Sequence, residues 1–425
     1  MKYRHRLVLI FISIQIPFVL SVLTIRLGQA KPELVIQVDT FDDEMNNDED
    51  CSLREAIQAA NNNVAIDGCT AGSADSIDNI YLPAGTYTLS IAGADNDNLK
   101  GDLDIHGPLN LYGDSADTTI IDGGSLDRIF QIHQNDHEVS ISNITIQNGR
   151  VIEGTGGGSG IMVHSNIDLE LIDCRIRNNH TPDFLGGGID NYNGKVTIFN
   201  CIIEDNSALE GGGIYNDGEL TIYNTLISNN NASGAGGGGG ISNSESGLGA
   251  GKVTAENITI SNNTGDNGSG IFSSTVITIT NATIAYNFGS GAAFFNTGIS
   301  YLKNTILGLN QDFINCGGIG NFETLGNNLE DGSSCHFDTQ LNDQINTNPL
   351  LIGDTPQDNG GFTNTFALEM NSPAIDKGTN TGCPSTDQRG YDRPKDGDGD
   401  GTAICDIGAF EANELTILYF PLLNK

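Results

Sequence analysis

An Asx residue recurs at Asn143, Asp173, Asn200, Asn224, Asn257, Asn281 and Asn304, spaced on average about 27 residues apart, inside the range of solenoid repeats. Four residues before it stand Val139, Leu169, Val196, Leu220, Val253 and Ile277, and two before it Ile141, Leu171, Ile198, Ile222, Ala255, Ile279 and Leu302. This alternation marks a strand with one buried face. Three residues after the Asx come Ile146, Ile176, Ile203, Ile227, Ile260, Ile284 and Leu307. Six after it come Asn179, Asn206, Asn230, Asn263, Asn287 and Asn310, a column broken by Gly149. Short strands, Asn-marked bends and one coil per period predict an all-β fold. The pattern predicts a parallel β-helix of roughly 9–11 coils, whose like residues stack about 4.8 Å apart. Asn suits the bends because its amide bonds neighbouring backbone and tolerates left-handed conformations.

Gly-rich bends precede most coils, as in Gly186-Gly187-Gly188-Ile189 and Gly211-Gly212-Gly213-Ile214, where the backbone needs positive φ or close approach. Cys174 and Cys201 each follow the Asx column by one residue, so they stack inside adjacent coils, as packed thiols or as a bridge. Upstream, Ser52 and Glu55 form a capping box, and Leu53, Ala56, Ile57 and Ala60 share one face of a short helix suited to plugging an open solenoid end. Residues 78–135 read as irregular coils, and the period decays after Asn310. The organisation expected is an export segment 1–30, a cap 31–77, the β-helix 78–310, a C-terminal module 311–411 and an apolar tail 412–425.

Composition supports a thin, repetitive core: 55 Gly and 47 Asn in 425 residues, no Trp, and 37% hydrophobic residues leave little for a wide two-sided interior. The net charge of -35 argues against nucleic acid and anionic membrane surfaces as partners and leaves room for divalent cations. Lys2, Arg4 and Arg6 precede an apolar run from Leu7 to Ile25 and then Gly28-Gln29-Ala30, the layout of an export signal cleaved after Ala30, with an uncleaved anchor as the competing reading. Cleavage would remove four basic residues and no acidic one, taking the charge to -39. In an exported chain Cys51 with Cys69, Cys316 with Cys335 and Cys383 with Cys405 are proposed as local bridges, although spacing alone leaves connectivity open.

Candidate chemistry is sparse. Asp396, Asp398 and Asp400 alternate with Gly up to Gly401, as in the first half of a calcium loop, and Asp406 is a further ligand candidate. Position twelve is Ile407, which excludes a complete EF-hand. The coils' basic cluster is Arg175 and Arg177 with Lys195 nearby. The repeat register sets Arg177 beside Glu204 and Lys195 beside Glu219, a structural use as cross-coil ion pairs. No catalytic residue is assigned. His133 and His137 lie four apart, which in extended chain does not bring both to one metal.

Three segments carry a family resemblance. Cys51-Ser52-Leu53-Arg54-Glu55-Ala56 resembles the CSLREA motif of exported bacterial proteins. Asn359-Gly360-Gly361-Phe362-Thr363, Thr386-Asp387-Gln388-Arg389-Gly390 and Cys405-Asp406-Ile407-Gly408-Ala409-Phe410-Glu411 resemble the choice-of-anchor Q domain. The intervening coils resemble right-handed parallel β-helix repeats, and their Gly-Gly-Gly-Ile and Ile-x-x-Asn elements are similar to repeats of polymorphic outer membrane proteins. The resemblance implies a secreted, cell-surface or outer-membrane bacterial protein. The reading is a monomeric, non-catalytic β-helix, structural, adhesive or carbohydrate-contacting, with a polysaccharide or cell-surface ligand and structural Ca2+. The alternative is a pectate-lyase-like polysaccharide-degrading enzyme.

Overall fold

The computed structural model describes residues 35–151, 156–234, 236–246, 249–311 and 314–413. The export segment 1–30 and the tail from residue 414 lie outside the described residues.

Three parallel sheets run along the chain: sheet 1 has 11 strands, from Val35–Gln37 to Asn321–Thr324; sheet 2 has 10, from Gly85–Thr88 to Leu329–Glu330; sheet 3 has 9, from Leu103–Ile105 to Ile314–Gly317. A typical coil supplies Ile189–Asn191 to sheet 3, Lys195–Phe199 to sheet 1 and Ile202–Glu204 to sheet 2. This is a right-handed parallel β-helix, the hand that parallel crossovers adopt. Like residues stack in register: Val196 between Leu169 and Leu220, and Ile203 between Ile176 and Ile227. Their side chains form one continuous core from Ile36 to Phe337.

Two Asn columns make the bends. The first has φ between 47° and 58° from Asn143 to Asn304, the left-handed region that Asn tolerates better than other residues with a Cβ. The second is buried. Asn206 Nδ2 donates to Asn230 Oδ1 at 3.0 Å and to Ile176 O at 2.9 Å, and the Asn206 backbone N–H reaches the same Asn230 oxygen at 3.1 Å. The pattern repeats at Asn179, Asn230, Asn263 and Asn287 and reaches Asn310. Each amide thus satisfies backbone groups that the bend would otherwise leave unpaired. Glycine is required beside this column: a Cβ on Gly187 would stand 2.4 Å from Gly212 O of the next coil.

The coil stack overruns both expected boundaries. Val35–Gln37 pairs with Asp78–Leu82, and three strands follow residue 310, ending at Leu329–Glu330. The repeat fades there because its columns are substituted: buried Ser300 stands where Ile277 stood, and Asn315 and Asp331 take over from the Asn ladder.

The helix Leu53–Asn62 has the capping box, with Ser52 accepting from the Glu55 N–H, and buries Leu53, Ala56, Ile57 and Ala60 against the first coils. The bridges Cys51–Cys69, Cys316–Cys335 and Cys383–Cys405 are formed, while Cys174 and Cys201 are buried free thiols, the Cys174 N–H directed at Cys201 Sγ at 3.3 Å. In-register parallel neighbours point the same way, which favours stacking over bridging.

Residues beyond 331 are laid along the solenoid. Asn257 Nδ2 donates to Thr386 O, Asn281 Nδ2 to Asp406 O and Asn304 Nδ2 to Thr379 O, so the first Asn column also clasps this segment. Thr259 Oγ1 donates to Gln388 Oε1 at 2.7 Å. A second apolar cluster joins Ala285, Ile306 and Leu329 on sheet 2 to Leu351, Phe366 and Ile407.

Candidate functional site

The outer face of sheet 1 carries ladders because alternate residues of each strand point outward. One ladder runs Glu138, Asp168, Lys195, Glu219, Lys252. Another runs Thr197, Thr221, Thr254, Thr278. Asp168, Lys195, Glu219 and Lys252 line a groove of about 550 Å³ that crosses four coils. Gly194 and Gly218 also line it, and there adjacent coils pack backbone to backbone: a Cβ on Gly218 would stand 2.2 Å from Gly194 O. A second groove of about 320 Å³ shares Asp168 and Lys195 and extends over Glu170, Ser140 and Thr197.

The basic groups of the coil strands are engaged. Lys195 Nζ lies 2.5 Å from Asp168, and Lys252 Nζ 3.6 Å from Glu219. Arg175 meets Asp117 at 3.3 Å and Glu204 at 3.6 Å. Arg177 Nε donates to Gln147 Oε1 at 3.0 Å, and Lys303 Nζ to Thr381 O. The register places Arg177 beside Glu204 and Lys195 beside Glu219, but the ion pairs form elsewhere. Arg175 takes Glu204, and Lys195 takes Asp168 of the preceding coil. A long side chain in a ladder can lean along the axis in either direction, so register alone does not choose its partner.

Sequence reasoning missed a histidine stack. His106, His133 and His164 each follow a strand of sheet 3, with ring centroids 4.3 Å and 5.6 Å apart, and Tyr192 continues the column. His133 Nε2 sits 2.6 Å from Oδ1 of buried Asp104, and His106 Nε2 2.9 Å from Asn96 O. Burial, then His133 and Arg128, lower the His164 pKa. His137 lies nearby but starts a strand of sheet 1 and points inward, 8% exposed, and neither ring nitrogen has a hydrogen-bond partner. Burial, with His106 and His133 close by, pushes its pKa down to about 4. His133 and His137 thus occupy different faces. The recurrence of His after 27 and then 31 residues was the available signal, and it begins upstream of the Asn143–Asn304 column on which the repeat is aligned.

Three acidic groups converge among the described residues: Asp376, Asp396 and Asp398; Glu44, Asp48 and Asp50; and Asp50, Glu55 and Asp67. In the Asp-Gly loop, the Gly399 and Gly401 N–H groups donate to Asp396 at 2.8 Å. Asp400 accepts from the Thr402 N–H, and buried Asp406 from the Asp376 and Ala412 N–H groups. The structure therefore joins Asp396 and Asp398 to Asp376 and leaves Asp400 and Asp406 outside that group. Burial and neighbouring Asp48 and Asp50 raise Glu44 to about 7.

No family model and no curated protein matches the chain. Among solved structures it is similar to pectate lyase Pel9A, at 13% identity and a TM-score of 0.45, covering 89% of this chain and 96% of that one. It is also similar to the pectin methylesterase of Aspergillus niger in deglycosylated form, at 16% identity and a TM-score of 0.39, covering 67% of this chain and 88% of that one. These likenesses concern the fold. Among the described residues, no helix is long and apolar enough to cross a membrane.

Proposed function

We propose that this is an exported bacterial surface protein of the CSLREA and choice-of-anchor type, a non-catalytic scaffold that presents the outer face of sheet 1 to carbohydrate. The observation that carries the reading is the engagement of every basic side chain on the coil strands: Arg175, Lys195 and Lys252 with acids, Arg177 with Gln147 and Lys303 with Thr381. A lyase needs a base free to take a proton; these groups are committed to ladder contacts. Structural calcium at Asp376, Asp396 and Asp398 belongs to the same reading, since hard cations take clustered carboxylate oxygens.

The test incubates the secreted chain with acidic and neutral polysaccharides, with and without calcium, following unsaturated products and reducing ends, then measures retention on the same polymers. Retention without product is the expected result. Product release would overturn the scaffold reading. A second reading, a polysaccharide-acting enzyme, draws on the Asp104–His133 pair at 2.6 Å, because a carboxylate-oriented imidazole is a general-base arrangement. Under it, His133→Gln would abolish product release.

A further inference from the structure

The shape and charge of the sheet 1 grooves select among carbohydrates. Their outward ladder alternates in sign over four coils: Asp168, Lys195, Glu219, Lys252. Two ion pairs, at 2.5 Å and 3.6 Å, neutralise it internally. Rungs repeat at about 4.8 Å, close to the length of one sugar unit in an extended chain. A polymer with the same charge on every unit would therefore meet unlike and like charges in turn and gain no net local attraction. Glu138, which begins the ladder, and exposed Glu170 beside it add negative charge, and with a chain charge of -35 they repel a polyanion.

An uncharged polymer meets none of these penalties. The paired carboxylates and ammonium groups still offer acceptors and donors to hydroxyls. Thr197 and Ser140 in the adjoining groove extend this hydroxyl and carboxylate track across the sheet. Phe199, 42% exposed, ends the Lys195–Phe199 strand that carries Thr197 and presents an apolar ring suited to a sugar face. Gly194 and Gly218 line the first groove without adding a side chain to it.

We infer that this track takes an uncharged, extended polysaccharide and rejects polyuronates. The inference rests on the carbohydrate-contacting reading above.

The experiment is affinity electrophoresis of the full chain in gels containing glucomannan, xylan, polygalacturonate or chitosan, at low and high salt, with and without calcium. Thr197→Arg, which fills the track, and Phe199→Ala serve as variants, their folds checked by circular dichroism. The expected result is retardation by a neutral polymer that is insensitive to salt, weakened at least about ten-fold by Thr197→Arg, because a bulky side chain in the track removes the bound geometry. Stronger, salt-sensitive retardation by polygalacturonate overturns the inference while leaving the carbohydrate reading standing. Neutral binding unchanged in a folded Thr197→Arg variant overturns the placement of the site. No retardation by any of the four polymers overturns both the inference and the carbohydrate reading.

Discussion

The guanidinium of Arg54, fully buried, meets the Asp43 carboxylate at 2.6 Å while donating to the Gly101 and Asp102 carbonyls at 2.8 Å and 3.0 Å. This contact gives the Cys-Ser-Leu-Arg-Glu motif a physical account. Cys51 is bridged to Cys69, Ser52 and Glu55 cap the helix, Leu53 enters the core, and Arg54 ties the helix to two separate loops. Removing one partner of a buried ion pair leaves the other charge uncompensated. Arg54→Met is therefore expected to destabilise the fold by about 3–5 kcal/mol. Arg54→Lys, which keeps the charge and loses the fork, should fall between Met and wild type. Urea unfolding measures both, and a loss for Arg54→Met under about 1 kcal/mol would contradict the account.

Asn230 sits mid-ladder, accepting from Asn206 Nδ2 and N–H and donating to Ile203 O and Asn263 Oδ1. Asn230→Ala strands buried groups in neighbouring coils and should cost about 2–4 kcal/mol. Asn310→Ala, at the half-buried ladder end, should cost less, since solvent can replace part of what is lost. Equal losses at the two sites would show that the amides do not act as a ladder.

The coils were legible because their period is a local property. Ile and Asn at constant offsets report strand, bend and core without knowledge of neighbours, and the register of Arg177 with Glu204 follows from it. What stayed hidden is set by tertiary contact. The clasp of Asn257 on Thr386 joins residues 129 apart, and nothing in either segment announces the other. Asp376 lies 20 residues before Asp396 and enters its acidic group only because two chain segments meet. The choice by Lys195 of Asp168 over Glu219 depends on side-chain lean, which periodicity does not encode.

His137 makes stability fall in acid. Its folded-state pKa of about 4 lies below the ordinary histidine value. The unfolded chain therefore binds a proton that the folded chain refuses, and stability is lost as pH falls from about 6.5 towards 4. Asp190 works in the opposite direction: burial, then Asp217, raise it to about 7, so its contribution is lost as pH rises towards that value. Variants separate the two. His137→Leu should gain on wild type as pH drops from about 7 to 4.5, by on the order of 2 kcal/mol after screening. Parallel stability-versus-pH curves for the two proteins would refute the assignment.

Calcium should stabilise the folded chain if Asp376, Asp396 and Asp398 hold it. Their ligand oxygens lie within 4.8 Å of one another, and Lys377 Nζ, 3.5 Å from Asp398, offsets only part of their repulsion. Burial raises the Asp376 pKa, the nearby Asp398 charge raises it further, and backbone N–H groups only partly offset both. A cation bound only by the folded state at about 100 times its Kd contributes about 2.7 kcal/mol. The melting temperature should therefore rise with Ca2+, less with Mg2+, which accepts clustered carboxylates reluctantly, and fall back with chelator. Asp396→Asn with Asp398→Asn should remove that increment and raise the calcium-free melting temperature slightly, because the repulsion goes with the charges. If the increment instead survives this double variant and disappears in Glu44→Gln with Asp50→Asn, the cation belongs to the N-terminal loop. A melting temperature that calcium leaves unchanged in wild type removes calcium from the account of this fold.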